Sequence, residues 1–332
     1  MNSIDEIVFN TLLGGWCGDS IGATLEFQKR RFSQEEVLNA MEMKSIGFSG
    51  VYPGQITDDS ELEFALMNGI IAGCECEYFP SEFIAKEYIE WYDSDPFDIG
   101  QTTTFALLDA ENELDMYNNS KLHNIDSESN GSLMRCIPLA VILMNKPEED
   151  IMEITAFDTE LTHPNIICVE TTGLYCIIIS FILKHRLQNL EIDIDKLFGI
   201  IRKHASNKTV ISWIKKSIGL KTINQYNCIK QEGHVKHAFI FVLFFLRNIH
   251  NYNYETAIMQ ILTLGGDTDT NAKIVGNLFG AFYGNCVPEY MRTKVLNFDS
   301  TIVSNEYFRR PPKYCIKYNL PMVNKLVSVI RK

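Results

Sequence analysis

Apolar residues recur at three- and four-residue intervals along almost the whole chain, a spacing that suits helices packed on one another far better than strands. After Ser81 the pattern runs through Phe83, Ile84, Tyr88, Trp91 and Tyr92, and between Tyr254 and Leu264 it recurs as Ala257, Ile258, Ile261 and Leu262. Alternating runs of the β type are short and few. No long Pro/Gly/Ser linker interrupts the pattern, and no repeat period is visible. The 332 residues therefore read as one all-α domain spanning 1–332, with a core of about 10–290 and a C-terminal extension over 291–332.

Glycines interrupt this pattern in a regular way. Gly14, Gly18 and Gly22, and again Gly276, Gly280 and Gly284, repeat every fourth position. On a helix that spacing makes one stripe of small residues, against which another backbone can approach closely. Each interior glycine costs about 0.5–1 kcal/mol relative to alanine, so the stripes imply tight packing or a nearby ligand. For the second stripe, packing is a sufficient explanation. Two polar segments break the helical pattern: Asp109–Asn130, which reads as a surface loop, and Lys184–Gln231, lysine-rich and without a motif.

The formal net charge is -12. Such a balance repels polyphosphate, so a nucleic-acid groove is not expected, and any anionic ligand must be met by helix N-termini, backbone amides or bound cations. Nine cysteines without a CxxC pair argue for reduced thiols. Asp5 and Glu6 stand where a signal peptide would carry positive charge. The apolar runs Thr171–Leu183 and Ala238–Leu246 fall short of the roughly 18 residues a spanning helix needs and read as buried core. A cytoplasmic monomer with no membrane partner is expected.

Two clusters of oxygen-bearing side chains carry the chemistry. Thr57-Asp58-Asp59-Ser60 precedes an apolar-periodic run, and Gly265-Gly266-Asp267-Thr268-Asp269-Thr270-Asn271 opens another. Helix capping would explain one carboxylate in each, not all of them. Oxygen-only ligands suit hard divalent cations such as Mg²⁺, Mn²⁺ or Ca²⁺. If the clusters converge, carboxylates about 4 Å apart repel by roughly 4 kcal/mol per pair at an effective dielectric of 20. Cations must then sit between them.

The chain resembles the ADP-ribosylglycohydrolase family through six motifs in the family's order. They are Gly14–Phe27 (GGWCGDSIGATLEF), Thr57–Ser60 (TDDS), Asp98–Thr103 (DIGQTT), Asn130–Leu139 (NGSLMRCIPL), Thr162–Pro164 (THP) and Gly265–Gly284 (GGDTDTNAKIVGNLFGAFYG). The resemblance implies an all-α fold whose cleft holds two divalent cations, Mg²⁺ or Mn²⁺. Thr57, Asp58 and Asp59 would hold them from one side, and Asp267, Asp269 and Thr270 from the other. Glu26 matches an acidic residue on a mobile loop that can reach the metals, and Asp98 a carboxylate near the scissile bond; Asp98 is also a candidate cap for a helix over Thr102–Leu108. Gly100 and Thr102 belong to the same motif and, with Asn130, Gly131 and Ser132, match stretches beside the ADP-ribose.

His163 matches a histidine near the ligand, and Pro164 is expected to halt the helix and leave its side chain exposed in a loop. His234 falls where relatives carry an aromatic residue beside the adenosine. Arg135 suits a structural salt bridge as well as a phosphate contact. The activity implied is removal of ADP-ribose from a modified side chain, with the motifs nearest the arginine-directed branch. ADP-ribosyl-serine and small ADP-ribose derivatives are alternative substrates. The partner expected is an ADP-ribosylated protein or a small ADP-ribosyl compound. The clusters alone also permit a two-metal phosphoesterase, and the fold a binding protein without activity.

Overall fold

The computed structural model describes residues 3–26 and 28–330; Phe27, which ends the first motif, and the outermost residues of the expected 1–332 domain lie outside that set. The fold is all-α. The helices are α1 (Ile4–Gly22), α2 (Gln34–Met41), α3 (Asp58–Ala72), α4 (Ser81–Asp93), α5 (Gln101–Leu107) and α6 (Glu113–His123). There follow α7 (Gly131–Arg135), α8 (Ile137–Ile142), α9 (Glu148–Glu160), α10 (Ile166–Leu187), α11 (Ile194–His204) and α12 (Lys208–Gly219). The chain closes with α13 (Val235–Arg247), α14 (Tyr254–Leu264), α15 (Thr268–Tyr283), α16 (Glu289–Asn297) and α17 (Ile316–Ile330). Among the described residues no strand forms, and Ser129 with His234 makes one isolated antiparallel bridge.

One contiguous apolar cluster runs from Ile7 in α1 to Val327 in α17. Its spine is the pair α1 and α15. A Cβ on Gly14 would sit 2.2 Å from the carbonyl oxygen of Gly276, and one on Gly18 2.2 Å from that of Ala272. The two stripes thus pack backbone on backbone, as the spacing implies. Gly284 departs from the stripe: it ends α15 with a positive φ of 76° beside the Arg186 guanidinium. The register has a functional consequence. A Cβ on Gly22 would meet the Asp269 Cα at 2.4 Å, so the end of α1 abuts the beginning of α15. Glu26, four residues past Gly22, is brought against the second acidic cluster.

The segment Asp109–Asn130 is not a loop throughout, because α6 occupies its middle. The Asn112 side chain accepts from the Asp115 amide as a cap, and Met116 and Ser120 are buried. The apolar run after Glu170 belongs to a longer helix than expected. Over its 22 residues α10 is long and apolar enough to cross a membrane, yet 89% of its most apolar 18-residue window is buried inside the protein. The C-terminal extension is equally integral, since α17 packs on α1, α3 and α8 and contributes Val323 and Leu326 to the main core.

Candidate metal centre and ligand cavity

Five helices begin at the wall of one cavity of about 650 Å³. Asp58 and Asp59 line it from the first turn of α3, and Gln101, Thr102 and Thr103 from the start of α5. Gly131 opens α7, His234 precedes α13, and Asp267, Asp269 and Thr270 stand at the head of α15. The volume suits a small organic ligand. Each helix N-terminus carries about half a positive charge, so five of them favour anionic groups in the space between. No lysine or arginine lines the cavity, whereas nine carboxylates do.

The two acidic clusters, 211 positions apart at Asp59 and Thr270, meet here. Thr270 Oγ1 donates to Asp59 Oδ2 across 3.1 Å. One oxygen from each of Glu26, Asp267 and Asp269 lies within 4.8 Å of the others. Capping does not account for these carboxylates: neither Thr57 at the head of α3 nor Asp267 at the head of α15 makes a side-chain cap hydrogen bond. Asp59 Oδ1 and Asp267 Oδ1 are buried without any hydrogen-bond partner. A buried carboxylate oxygen left unpaired costs on the order of 1–3 kcal/mol, so the pair of orphaned atoms points to a missing positive charge.

The electrostatics agree. Burial pushes the carboxyls of Glu26, Asp58, Asp59 and Asp269 well above their ordinary range, and neighbouring carboxylates add to the rise. Asp98, half-buried, is pushed up to about 6 by burial and then by Asp19 and Asp267. Groups so placed must either bind protons or share cations. Oxygen donors alone, several of them carboxylates, fit a hard divalent ion. The residues present therefore fit the divalent cations that the motifs imply.

Several supporting residues escaped the sequence reading. Asp19, in the first motif, accepts from the Thr57 amide (3.1 Å) and hydroxyl (2.9 Å) and from the Ser60 hydroxyl. Fully buried Lys273 reaches Ser60 Oγ at 2.9 Å and Glu63 Oε2 at 3.1 Å, while Trp16 Nε1 donates to Glu63 Oε1. These bonds lock α1, α3 and α15 together beneath the acidic cluster. The available signal was a set of charged residues inside otherwise apolar helical runs. A second group, Glu148, Glu149 and His204, also brings ligand atoms together, but Lys203 already pairs with Glu149 at 3.0 Å.

The remaining expected residues fall into two sets. Glu26, Asp98, Gly100, Thr102, Asn130, Gly131, His163 and His234 all line the cavity, along with Asp58, Asp59, Asp267, Asp269 and Thr270. Thr57 and Ser132 do not. Thr57 is fully buried with its hydroxyl on Asp19, and Ser132 is fully buried with its hydroxyl 3.0 Å from that of Thr172. Asp98 is not the cap of α5: Gly100 holds that position without a side-chain bond. Arg135 resolves to the structural alternative, fully buried against Asp158 and stacked 4.5 Å from the Tyr88 ring centre.

His163 lies in the turn before α10 as Pro164 implies, but it is 1% exposed rather than open to solvent. Burial, then Arg135, holds its imidazole neutral, and Nδ1 pairs with the Thr162 hydroxyl at 2.7 Å. A Cβ on Gly131 would meet its ring at 2.8 Å, so a glycine there lets imidazole and loop share the cavity floor. Asn130 ties this wall to the acidic one, since its Nδ2 donates to Asp267 Oδ2 at 2.8 Å. His234 is held as an Nε2–H tautomer: the Lys236 amide donates to Nδ1, and Nε2 lies 3.0 Å from Glu128 Oε2. Its ring packs edge-on to Trp213, with centroids 5.7 Å apart.

Comparison with known proteins places this architecture. Residues 2–312 match the family model described as ADP-ribosylglycohydrolase. The chain is 33% identical to a putative ADP-ribosyl glycohydrolase, L543, of Acanthamoeba polyphaga mimivirus, over 94% of this chain and 98% of that one. It is 22% identical to the ADP-ribosyl-[dinitrogen reductase] glycohydrolase of Rhodospirillum rubrum, covering 85% and 87% of the two chains. With the ADP-ribosylarginine hydrolase Tri1 of Serratia proteamaculans the identity is 24%, over 82% and 70%. A solved structure of an ADP-ribosylglycohydrolase-related protein complex shares the fold with a TM-score of 0.71 at 19% identity, covering 100% of this chain and 99% of that one.

Proposed function

The chain belongs to the ADP-ribosylglycohydrolase family, and from that premise we propose that it hydrolyses the N-glycosidic bond between the distal ribose of ADP-ribose and a modified arginine side chain, with two divalent cations, Mg²⁺ or Mn²⁺, in the acidic centre. The observation that carries this reading is the meeting of Asp58 and Asp59 with Asp267, Asp269 and Thr270 at one end of a ligand-sized cavity. Asp58, Asp59, Asp267, Asp269 and Thr270, with Glu26, would hold the cations, while Thr57, expected among them, is turned to Asp19. Bound there, divalent cations orient a sugar through its hydroxyls and acidify water.

The chain's own residues divide the remaining work. Asn130, Gly131, His163 and His234 line the same cavity, with Asn130 joined to Asp267, and would seat the ADP-ribose. A neutral His163 is free to accept or donate one hydrogen bond without adding charge. Cleavage at C1 passes through an oxocarbenium-like state, which a nearby carboxylate stabilises. Asp98 and Glu26 both stand at the cavity; the Asp98 carboxyl, pushed up to about 6, is competent to hold or pass a proton near neutral pH, and burial raises that of Glu26 as well.

The acidic lining supports arginine as the leaving group. Asp126, Glu128 and Glu232 join the other carboxylates around the cavity, with no lysine or arginine in its lining, and a guanidinium is drawn to such a field. A second reading, with a different linkage, has some support in the 22% identity with mouse ADP-ribosylhydrolase ARH3 over 90% of both chains. The discriminating experiment incubates the purified protein with arginine- and serine-linked ADP-ribosyl peptides, with Mg²⁺ or with chelator. Release of free ADP-ribose from the arginine peptide in Mg²⁺ alone is expected. Release from the serine peptide only would overturn the linkage, and undiminished release in chelator would overturn the metal requirement.

A further inference from the structure

Tyr307–Arg310 lies in the part of the chain that carries none of the motifs, yet it grips both approaches to the acidic centre. Arg310 is 2% exposed. Its Nε lies 3.0 Å from each carboxylate oxygen of Glu61, which follows Asp59 by two positions on α3. Nη1 donates to the carbonyls of Ser94 (2.9 Å) and Asp95 (3.1 Å), and Nη2 to Ser94 Oγ at 2.7 Å. Tyr307 Oη donates to the Phe97 carbonyl at 2.9 Å. The Phe308 ring packs 5.1 Å from that of Phe97, and the Phe308 carbonyl accepts from Gln55 Nε2 at 2.7 Å.

One short segment thus holds Gln55 and Glu61, on either side of Thr57–Asp59, and Ser94, Asp95 and Phe97, which lead into Asp98. Asp98 sits between the end of α4 and the start of α5, in chain that no helix holds in place. Arginine suits the position because its planar fork offers donors in several fixed directions, and here Nε, Nη1 and Nη2 are all engaged.

We propose that Arg310 and Tyr307 are positioning residues that set where Asp98 stands relative to the Asp58–Asp59 pair. The proposal rests on the reading of Asp98 as the carboxylate at the scissile bond. Displacement of about 1 Å at a reacting group can cost on the order of 100-fold in rate, so a strap that fixes two carboxylate-bearing segments against each other acts on turnover rather than on ligand binding. Asn130 and His234 make none of these contacts and should keep their hold on ADP-ribose.

The test compares Asp98→Asn, Tyr307→Phe and Arg310→Lys in the full chain with Mg²⁺, on whichever ADP-ribosyl peptide the native protein turns over. It measures kcat and KM, the calorimetric affinity for ADP-ribose, and the unfolding midpoint. Tyr307 is 65% exposed, so loss of its hydroxyl leaves the fold intact. Tyr307→Phe is expected to lower kcat by up to about tenfold, the value of one lost hydrogen bond. Arg310→Lys is expected to lower it by on the order of 100-fold. In both, ADP-ribose affinity should stay within about twofold. Unchanged kcat in Tyr307→Phe and Arg310→Lys, with Asp98→Asn inactive, overturns the strap alone. Parallel loss of kcat, ADP-ribose affinity and unfolding midpoint reduces it to a structural role and also overturns it. Full activity in Asp98→Asn overturns the reading of Asp98 and the proposal with it. Should Arg310→Lys fail to fold, Tyr307→Phe decides.

Discussion

Thr270 Oγ1 donates to Asp59 Oδ2 across 3.1 Å, and this bond joins the heads of two helices from opposite ends of the chain. Around it, carboxylates face one another at distances where like charge repels by several kcal/mol. The folded protein holds that repulsion in place through the glycine-on-glycine packing of α1 and α15 and the Asp19–Ser60–Lys273 network beneath.

Asp267→Asn removes one of those charges while keeping an oxygen for the Asn130 amide. Turnover should be abolished, by the loss of an anionic ligand. The metal-free variant should also be more stable than the native protein, by roughly 1–4 kcal/mol, because one repelling partner is gone. Steady-state release of ADP-ribose and chemical denaturation in chelator check the two halves of this prediction. Near-normal turnover would defeat the assignment of Asp267.

The same charges set a pH dependence. In the metal-free protein Glu26, Asp58, Asp59 and Asp269 titrate above their ordinary values, through burial first and neighbouring carboxylates second. Their folded-state pKa exceeds the unfolded one, so at these groups the folded state binds more protons. The stability they contribute is greatest in acid and falls as pH rises, outweighing the opposite slope of His163, His234 and His237. For Asp98 the fall runs from 3.8 to about 6. Thermal unfolding in chelator across about pH 4 to 7 should show a declining midpoint, and added Mg²⁺ should flatten or reverse the decline. A midpoint that climbs with pH in chelator would contradict the account.

Lys273→Met tests the network under the centre. It leaves Glu63 buried without its ammonium partner, and removing one member of a buried pair costs about 3–5 kcal/mol. Denaturant titration should show that loss. A cost below about 1 kcal/mol, as for an exposed pair, would mean that the network is not what braces α1, α3 and α15.

Gly276→Ala tests the spine. Its Cβ would fall 2.2 Å from the Gly14 carbonyl oxygen, which is backbone and has little room to move. Destabilisation of about 3 kcal/mol or more is expected, the upper range for overpacking a core. Gly199→Ala serves as the control, because nothing lies within 4 Å of a Cβ there, and it should be neutral or slightly stabilising.

What the sequence disclosed and what it hid follow a physical division. Helical periodicity is local, so α4 and α14 were readable, as was the stripe packing of Gly14 and Gly18. Asp109–Asn130 misled because Asn, Asp and Ser favour turns when isolated, whereas α6 is secured by its Asn112 cap and by packing against α5 and α9. The ligand-bearing stretches were legible through their motifs. Ser132 and Thr57 were assigned with their neighbours, and a helix start sends adjacent side chains in different directions, so these two point into the core. Arg310 and Tyr307 gave no signal, since their partners Glu61 and Phe97 lie more than 200 positions away.

The most direct test of the central claim is anomalous diffraction from crystals of the protein grown with Mn²⁺. The account predicts two strong peaks in the space bounded by Asp58, Asp59, Asp267, Asp269 and Thr270. Ordered density for these side chains with no peak between them, or peaks confined to another part of the molecule, would contradict it.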